Sequence, residues 1–287
     1  MMARIQVAPG VALHCEATGA GVPVVFLHEF AGDHRTWEPQ VRHFSRSHRC
    51  VTFSARGYPP SDIPSDPALY SQDIARRDAL AVMDALEIER AHIVGHSMGA
   101  YTALHLGISN PERCLSVTAA GCGWGSDPAD TPKVVQTCTD IARLFRDNDM
   151  ATAAAQYARA PMRLTFIAKD PRGFAEFEQM LAQHSGPGSA LVMEQVQARR
   201  PSLGEMAPAL QAMEVPLLVI VGDEDFPCIE GSLLLKRTVP SAALLMLPRT
   251  GHTVTSEEPA AFNAALAELF CAAESGTWMR HHASSGA

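Results

Sequence analysis

The sequence has no apolar run near the roughly 18 residues that a membrane-spanning helix needs, and residues 1–5 lack the long apolar segment of a secretory signal. It also has no cluster of basic residues: its positive side chains, mostly arginine, are scattered, and the formal net charge is −8. Nucleic-acid-binding proteins concentrate positive charge on one surface. We therefore expect neither a nucleic-acid nor a membrane partner, and a cytoplasmic location.

The chain also lacks a cysteine pattern. Its seven cysteines are odd in number, widely spaced and without a Cys-x-x-Cys pair, which argues against a disulfide framework or a zinc knuckle. We expect them to act as small buried hydrophobic residues. The length of 287 residues suits one domain carrying an insertion.

Short apolar runs alternate with helical patterns along most of the chain. The apolar runs predict strands at 5–8, 12–17, 23–28, 49–54, 91–96, 115–120, 216–222 and 243–247. Apolar residues at helical spacing predict helices over 71–86 and 259–270. This alternation predicts an α/β fold with a mainly parallel eight-stranded sheet and helices on both faces. The exception is 124–214, which has several helical patterns and no convincing strand.

The pentapeptide Gly-His-Ser-Met-Gly at 95–99 follows one of these predicted strands and opens a segment of small residues. A strand, a sharp turn and a helix in this order present the serine hydroxyl in the open, as a nucleophile requires. Gly95 and Gly99 suit such a turn because its neighbours approach one another closely. Ser97 is therefore the candidate nucleophile.

Two later segments supply possible partners for this serine. Asp223, Glu224 and Asp225 follow the strand at 216–222, and His252 lies in a loop after the strand at 243–247. The chain order serine, acid, histidine is that of α/β-hydrolases and differs from the two common serine-protease orders. His252 is the candidate general base, because a ring in that loop can turn toward Ser97.

From about residue 3 to about 271, the chain resembles proteins of the α/β-hydrolase fold. The segments that carry the resemblance are LHEFAGDHRTW, SARGYPPSD, VGHSMGA, VIVGDED and RTGHTVTSEEP. The resemblance implies a core of 1–123 and 215–274 and a helical lid over 124–214, whose length would make three to five helices. We expect 275–287, which are small and polar, to form a flexible tail.

The resemblance also implies roles for single residues. A carboxylate three residues after the strand-ending glycine is the family's acid, which selects Asp225 to orient the His252 ring. The backbone N–H of Met98, next to the nucleophile, and that of Phe30 would form the oxyanion hole. The family often has glycine where this chain has Glu29. Because a carboxylate near the oxyanion would oppose catalysis, we expect Glu29 to point away, toward Arg35, Arg56 or His28.

The candidate pocket residues are Glu29, His34, Trp37 and Trp124. The resulting prediction is a serine-dependent hydrolase of a small carboxylic ester or lactone, with a small acyl compound as its partner and no metal or organic cofactor. Related dehalogenases and epoxide hydrolases use aspartate where this chain has Ser97, so they are excluded.

Other functions remain open at this point. C–C bond hydrolases usually carry tryptophan directly after the histidine, where this chain has Thr253. A cofactor-free oxygenase-like enzyme on the same triad and a non-catalytic small-ligand receptor are the further alternatives. Homo-oligomer formation is left open by the sequence.

Overall fold

The central sheet agrees with the sequence prediction. The computed structural model describes residues 1–279, and part of the expected flexible tail, 280–287, lies outside these described residues. Within residues 1–279 there are eight strands: β1 (Met2–Ala8), β2 (Val11–Thr18), β3 (Val22–Leu27), β4 (His48–Phe53), β5 (Ala91–His96), β6 (Cys114–Ala120), β7 (Leu217–Gly222) and β8 (Ala242–Leu247). Each overlaps a predicted strand, and the boundaries differ by a few residues at most.

The strands form one sheet in the order β1-β2-β4-β3-β5-β6-β7-β8. The pairs β1–β2 and β2–β4 are antiparallel, and the remaining pairs are parallel. β5 and β7 are buried along their whole length because helices cover both faces of the sheet. The parallel strands bring their carboxyl ends, with the loops that follow them, to one edge of the sheet.

Helices cover both faces of the sheet, as predicted. The α-helices of the described chain are α1 (Glu38–Phe44), α2 (Gln72–Ala85), α3 (Met98–Ser109), α4 (Thr131–Asp147), α5 (Met150–Ala158), α6 (Leu164–Lys169), α7 (Pro171–Leu181), α8 (Gly186–Val192), α9 (Leu203–Gln211), α10 (Phe226–Thr238), α11 (Val254–Glu257) and α12 (Pro259–Glu274). Residues of α2, α3, α9 and α10 pack on one face and residues of α1 and α12 on the other. No helix within residues 1–279 is both long and apolar enough to cross a membrane.

The segment between β6 and β7 is more finely divided than expected. Within 124–214 the structure has six α-helices, α4 to α9, where the length suggested three to five, and a π-helix at Met193–Gln197. α6 and α8 have six and seven residues, too few for a helical period to show in the sequence. Leu203 and Leu210 of α9 pack into the sheet core, so α9 covers the sheet and not the site.

Two smaller predictions concern the cysteines and the tail. Six of the seven cysteines are buried thiols, as expected, and Cys271 is exposed. Within the predicted tail, the Trp278 indole donates a hydrogen bond to the Ser241 carbonyl at 2.7 Å. This contact holds the chain after α12 against the start of β8.

Candidate active site

The loop between β5 and α3 places Ser97 in a strained conformation. Ser97 has φ +52° and ψ −111°, values that a side-chain-bearing residue rarely adopts. A Cβ at Gly95 would lie 2.3 Å from the Gly99 carbonyl oxygen, and one at Gly99 would lie 2.1 Å from that of Leu27. Only glycine fits at these two positions, so the turn holds the Ser97 hydroxyl off the end of the sheet.

Ser97, His252 and Asp225 form a continuous hydrogen-bonded chain. The Ser97 Oγ lies 2.9 Å from His252 Nε2, and His252 Nδ1 lies 2.7 Å from Asp225 Oδ2. Because the carboxylate only accepts, His252 carries its proton on Nδ1, and its Nε2 lone pair faces the serine hydroxyl. This is the arrangement in which the imidazole can take the proton of Ser97.

Burial and charge act in opposite directions on this pair. Burial disfavours a charged imidazole, but the Asp225 carboxylate outweighs it and raises the pKa of His252 above 6.5. Burial would likewise raise the pKa of Asp225, but the neighbouring His252 charge lowers it below its ordinary value of 3.8. Asp225 therefore stays ionised and stabilises an imidazolium at His252.

The other two carboxylates of the acidic run lie apart from the histidine. Asp223 is half-buried and accepts a hydrogen bond from the Thr250 backbone N–H at 3.1 Å, and Glu224 is exposed. The structure thus brings one of the three acids, Asp225, to His252. A neighbour that the sequence did not single out is Cys228, whose thiol lies 3.9 Å from His252 Nδ1.

Two backbone amides are available beside the serine. Met98 is the first residue of α3, so its N–H has no intrahelical acceptor. The N–H of Phe30, in the loop after β3, has no acceptor among residues 1–279. Phe30, Met98 and Ser97 line the same cavity. The two amides proposed from the sequence are thus both free to serve as donors there.

Glu29 forms a buried ion pair, but its partner differs from the expected ones. Its carboxylate accepts a hydrogen bond from Arg163, between α5 and α6, and both side chains are at most 3% exposed. Arg35 instead pairs with Asp33, and Arg56 with Asp78, so neither of these arginines reaches Glu29.

The third expected partner of Glu29 meets its backbone only. His28 Nδ1 donates to the Glu29 carbonyl at 2.7 Å, while its Nε2 accepts from the Ala55 N–H. Sequence reasoning missed Arg163 because its partner is 134 residues away.

The Glu29–Arg163 ion pair is connected to His252 through His96. The carboxylate of Glu29 lies 3.8 Å from His96 Nδ1, and His96 Nε2 donates to the His252 carbonyl oxygen at 2.7 Å. Burial alone would raise the pKa of Glu29, but the Arg163 charge lowers it to about 2. Burial lowers the pKa of His96 to about 4. At neutral pH, the Glu29 charge is therefore balanced by Arg163, and His96 is uncharged.

The loop that carries His252 is also tied to the helical segment. The His252 backbone N–H donates to the Met162 carbonyl at 2.8 Å. A Cβ at Gly251 would lie 2.3 Å from the same carbonyl oxygen, so the two loops touch backbone to backbone. The position of the histidine thus depends on the turn between α5 and α6.

A cavity of about 240 Å³ opens onto Ser97 and His252. Of the four pocket candidates, Trp124 lines it. The other three do not. Trp37 is 1% exposed and packs in the core against Phe26 and Phe262, because the turn that carries it folds under the sheet. His34 is directed toward β2, where it meets His14 and Glu16, and Glu29 is held by Arg163.

Arg200 is the arginine that lines this cavity. Its guanidinium stacks on the Tyr101 ring, 3.5 Å from the ring centroid, and donates to the Gln197 side chain at 2.8 Å and to the Trp124 carbonyl at 3.0 Å. These hydrogen bonds use Nε and Nη2. Sequence reasoning missed Arg200 because nothing in its local pattern separates it from its exposed neighbour Arg199.

Comparison with known proteins agrees with this architecture. The profile of the alpha/beta hydrolase fold family matches residues 22–259. The chain belongs to this family. It is an enzyme of the hydrolase type, and its core and site residues follow the order seen in the family.

Several individual proteins are similar over most of the chain. A 3-oxoadipate enol-lactonase of Acinetobacter baylyi is 27% identical over 245 residues, which cover 85% of this chain and 86% of the relative. A 2-hydroxymuconate semialdehyde hydrolase of a Pseudomonas strain is 26% identical, with 94% of each chain covered. The crystal structure of the enol-lactonase from Burkholderia xenovorans superposes with a TM-score of 0.80 at 22% identity, covering 93% of this chain and 99% of that one. The last similarity concerns the fold.

Proposed function

We propose that this protein hydrolyses a small carboxylic ester or lactone through an acyl-enzyme on Ser97. The observation that carries the proposal is the hydrogen-bonded series Ser97–His252–Asp225, with contacts of 2.9 and 2.7 Å, at the wall of a cavity. These contacts match the hydrogen-bond reach that an activated nucleophile and its base require.

In the proposed acylation, His252 Nε2 removes the proton of Ser97 while Oγ attacks the substrate carbonyl carbon. The amides of Met98 and Phe30 donate to the oxygen that becomes negative, each worth about 3 kcal/mol in comparable enzymes. His252 then gives its proton to the leaving oxygen. In a lactone this oxygen stays attached to the acyl group, so ring opening releases nothing at this step.

Deacylation reuses the same groups. His252 Nε2 takes a proton from water, which attacks the acyl carbonyl carbon, and the proton then returns to Ser97 as the acid leaves. Asp225 holds the imidazole in the required tautomer throughout. The Glu29 charge does not oppose the oxyanion, because the carboxylate is paired with Arg163 and does not line the cavity.

Arg200 supports a substrate that carries its own acidic group. A guanidinium that is held over the Tyr101 ring at the cavity wall is suited to bind a carboxylate. The cavity of about 240 Å³ limits the acyl group to a small one. The similarity to a 3-oxoadipate enol-lactonase supports the choice of a lactone or ester with an acidic end.

A C–C bond hydrolase is the second candidate. The similarity to a 2-hydroxymuconate semialdehyde hydrolase over 94% of both chains favours it. Thr253 argues against it, because C–C hydrolases usually carry tryptophan directly after the histidine. Its side chain hydroxyl is buried and has no partner among the described residues.

Labelling by a fluorophosphonate tests the nucleophile. We expect covalent modification at Ser97, identified by peptide mass spectrometry, and none in Ser97→Ala. Folded wild-type protein that is not labelled would contradict the proposal.

Matched p-nitrophenyl esters test the substrate class, with the butyrate as the neutral ester and the hemiglutarate as the anionic one. We expect the anionic ester to be preferred in kcat/KM by about tenfold or more, since a charged hydrogen-bonded contact contributes roughly 1.5–3 kcal/mol. Arg200→Gln should abolish the preference and leave hydrolysis of the butyrate in place, and Arg199→Gln is the control. Faster cleavage of a diketo ring-fission acid than of either ester would favour the C–C alternative.

A further inference from the structure

A second group of chemically reactive side chains lies outside the proposed site. His14 and Glu16 are two residues apart on β2 and so project from the same face of the strand. His34 approaches them from the turn after β3. His14 Nε2 lies 3.1 Å and His34 Nε2 lies 3.5 Å from the same oxygen, Glu16 Oε1. The two imidazole rings meet edge to face at 4.5 Å.

One ring nitrogen of His34 is within hydrogen-bond distance of a hydroxyl, and the other lies near Glu16. His34 Nδ1 lies 2.8 Å from Ser54 Oγ and 3.6 Å from an Asp33 carboxylate oxygen. The Ser54 hydroxyl has its own acceptor, the Pro59 carbonyl at 3.3 Å. With the hydroxyl proton directed to Pro59, Ser54 can accept from His34 Nδ1–H, and in this tautomer Nε2 carries a lone pair.

The consequence is a contact between two acceptors. In this tautomer His34 Nε2 and the Glu16 carboxylate oxygen, 3.5 Å apart, are both acceptors. A cation between the two atoms turns this repulsion into attraction. The second nitrogen near Glu16, His14 Nε2, can bind the same cation when its imidazole is neutral. Metal-binding histidines usually donate their second ring N–H to a nearby acceptor, and the Ser54 hydroxyl is placed to accept that of His34.

We propose that His14, Glu16 and His34 bind a divalent transition metal, with Zn²⁺ as the ion that fits best. Tetrahedral ligands about 2.1 Å from zinc are about 3.4 Å apart, close to the two nitrogen–oxygen distances here. Two imidazoles and one carboxylate leave a fourth position for water. Glu16 and His34 line a surface groove of about 540 Å³, through which an ion can reach them. Mg²⁺ and Ca²⁺ prefer oxygen ligands and do not suit the set.

Such an ion would join β2 to the turn that follows the Glu29–Phe30 loop. It would bind the folded chain and not the unfolded one, so it would raise the melting temperature. A second group, Asp225, Cys228 and His252, also has ligand atoms within 4.8 Å of one another. The experiment must therefore separate the two.

The test is a calorimetric and thermal-shift titration of ZnCl₂ into the tag-free full-length chain. His281 and His282 are adjacent in the sequence, so all variants are built in a His281→Gln/His282→Gln background. We expect one saturable site with a rise in melting temperature, and about tenfold or greater loss of zinc affinity in both His14→Gln and Glu16→Gln. The controls are His43→Gln and Glu268→Gln, whose side chains are exposed on α1 and α12, and they should bind as the parent does. MgCl₂ should leave the melting temperature unchanged.

Two results would overturn the proposal. One is the absence of a saturable zinc site in the parent chain. The other is a site whose affinity is the same in His14→Gln and Glu16→Gln, which would place the ion elsewhere. Neither side chain of these variants is fully buried, so the folded protein should persist, and the melting temperature without zinc verifies this.

Discussion

Asp225 and Glu29 are both buried carboxylates close to the site histidines, yet they are held by different parts of the chain. Asp225 meets His252, and both belong to loops at the carboxyl edge of the sheet. Glu29 comes from that edge too, but its partner Arg163 belongs to the helical segment between β6 and β7. The groups that would exchange protons in the proposed reaction thus all belong to the core. The helical segment supplies the positive charge of Arg163, which stabilises the buried carboxylate of Glu29 near these groups.

The difference also separates chemistry from stability. The Asp225–His252 pair acts on a proton that moves during the proposed reaction, so its loss should appear mainly in turnover. The Glu29–Arg163 pair has no atom in the cavity lining, so its loss should appear mainly in the free energy of unfolding.

The largest effect is expected for Asp225→Asn. Without the carboxylate, His252 loses the tautomer that accepts the serine proton, and turnover of the preferred ester should fall by up to about 10⁴-fold. Asp223→Asn is the matched control and should stay within about tenfold. The measurement is kcat on unlabelled variants whose melting temperature shows that they are folded. A larger loss in Asp223→Asn than in Asp225→Asn would show that Asp223, and not Asp225, is the acid that orients His252.

The next effect is expected for Arg163→Met, measured as the free energy of unfolding in urea. Removing one partner of a buried ion pair leaves Glu29 charged and unpaired, which costs about 3–5 kcal/mol. Arg159→Met removes an exposed ion pair with Glu178 and should cost at most about 1 kcal/mol. In the double variant Arg163→Met/Glu29→Gln much of the loss should be recovered. Additive losses would show that the two residues do not act as a pair.

Acid unfolding provides a third comparison. Glu29 has a pKa of about 2 in the folded chain against an ordinary 4.5, so it favours the folded state above about pH 4.5 and loses this effect as the pH falls toward 2. The shift corresponds to about 3 kcal/mol. Stability of Glu29→Gln should therefore fall less steeply over this range than that of the wild type, with Glu38→Gln as the exposed control. We also expect kcat in Glu29→Gln within about tenfold of the wild-type value at pH 7.

The smallest effect concerns the pH dependence of kcat/KM. His252 must be neutral to accept a proton, and Asp225 raises its pKa above 6.5, so activity should rise through a midpoint above that pH. In Asp225→Asn the midpoint of the residual activity should lie at a lower pH, because burial then lowers the pKa of His252 and no carboxylate opposes this. An unchanged midpoint would mean that another group controls the profile.

Local patterns were enough to predict the sheet. Its strands are short apolar runs with clear ends, and the order Ser97, Asp225, His252 follows from the loops after three of them. The same reasoning wrongly placed His34 and Trp37 at the pocket, because proximity in sequence to Phe30 does not decide which way a turn folds. Arg163 and Arg200 were missed because their roles depend on how the short helices of 124–214 pack. Their contacts with Glu29 and Trp124 span 134 and 76 residues, and such distant packing leaves no local pattern.

The backbone contact between Met162 and His252 limits how this enzyme can be re-engineered. Exchanging the helical segment for that of a relative is an obvious way to alter substrate choice, but the replacement would enter a junction that positions the histidine. A transplanted segment would need a carbonyl at the position of Met162 and a cation at that of Arg163, or a compensating change at Glu29. A segment chosen only for the shape of its cavity would give a chimeric protein in which His252 is displaced.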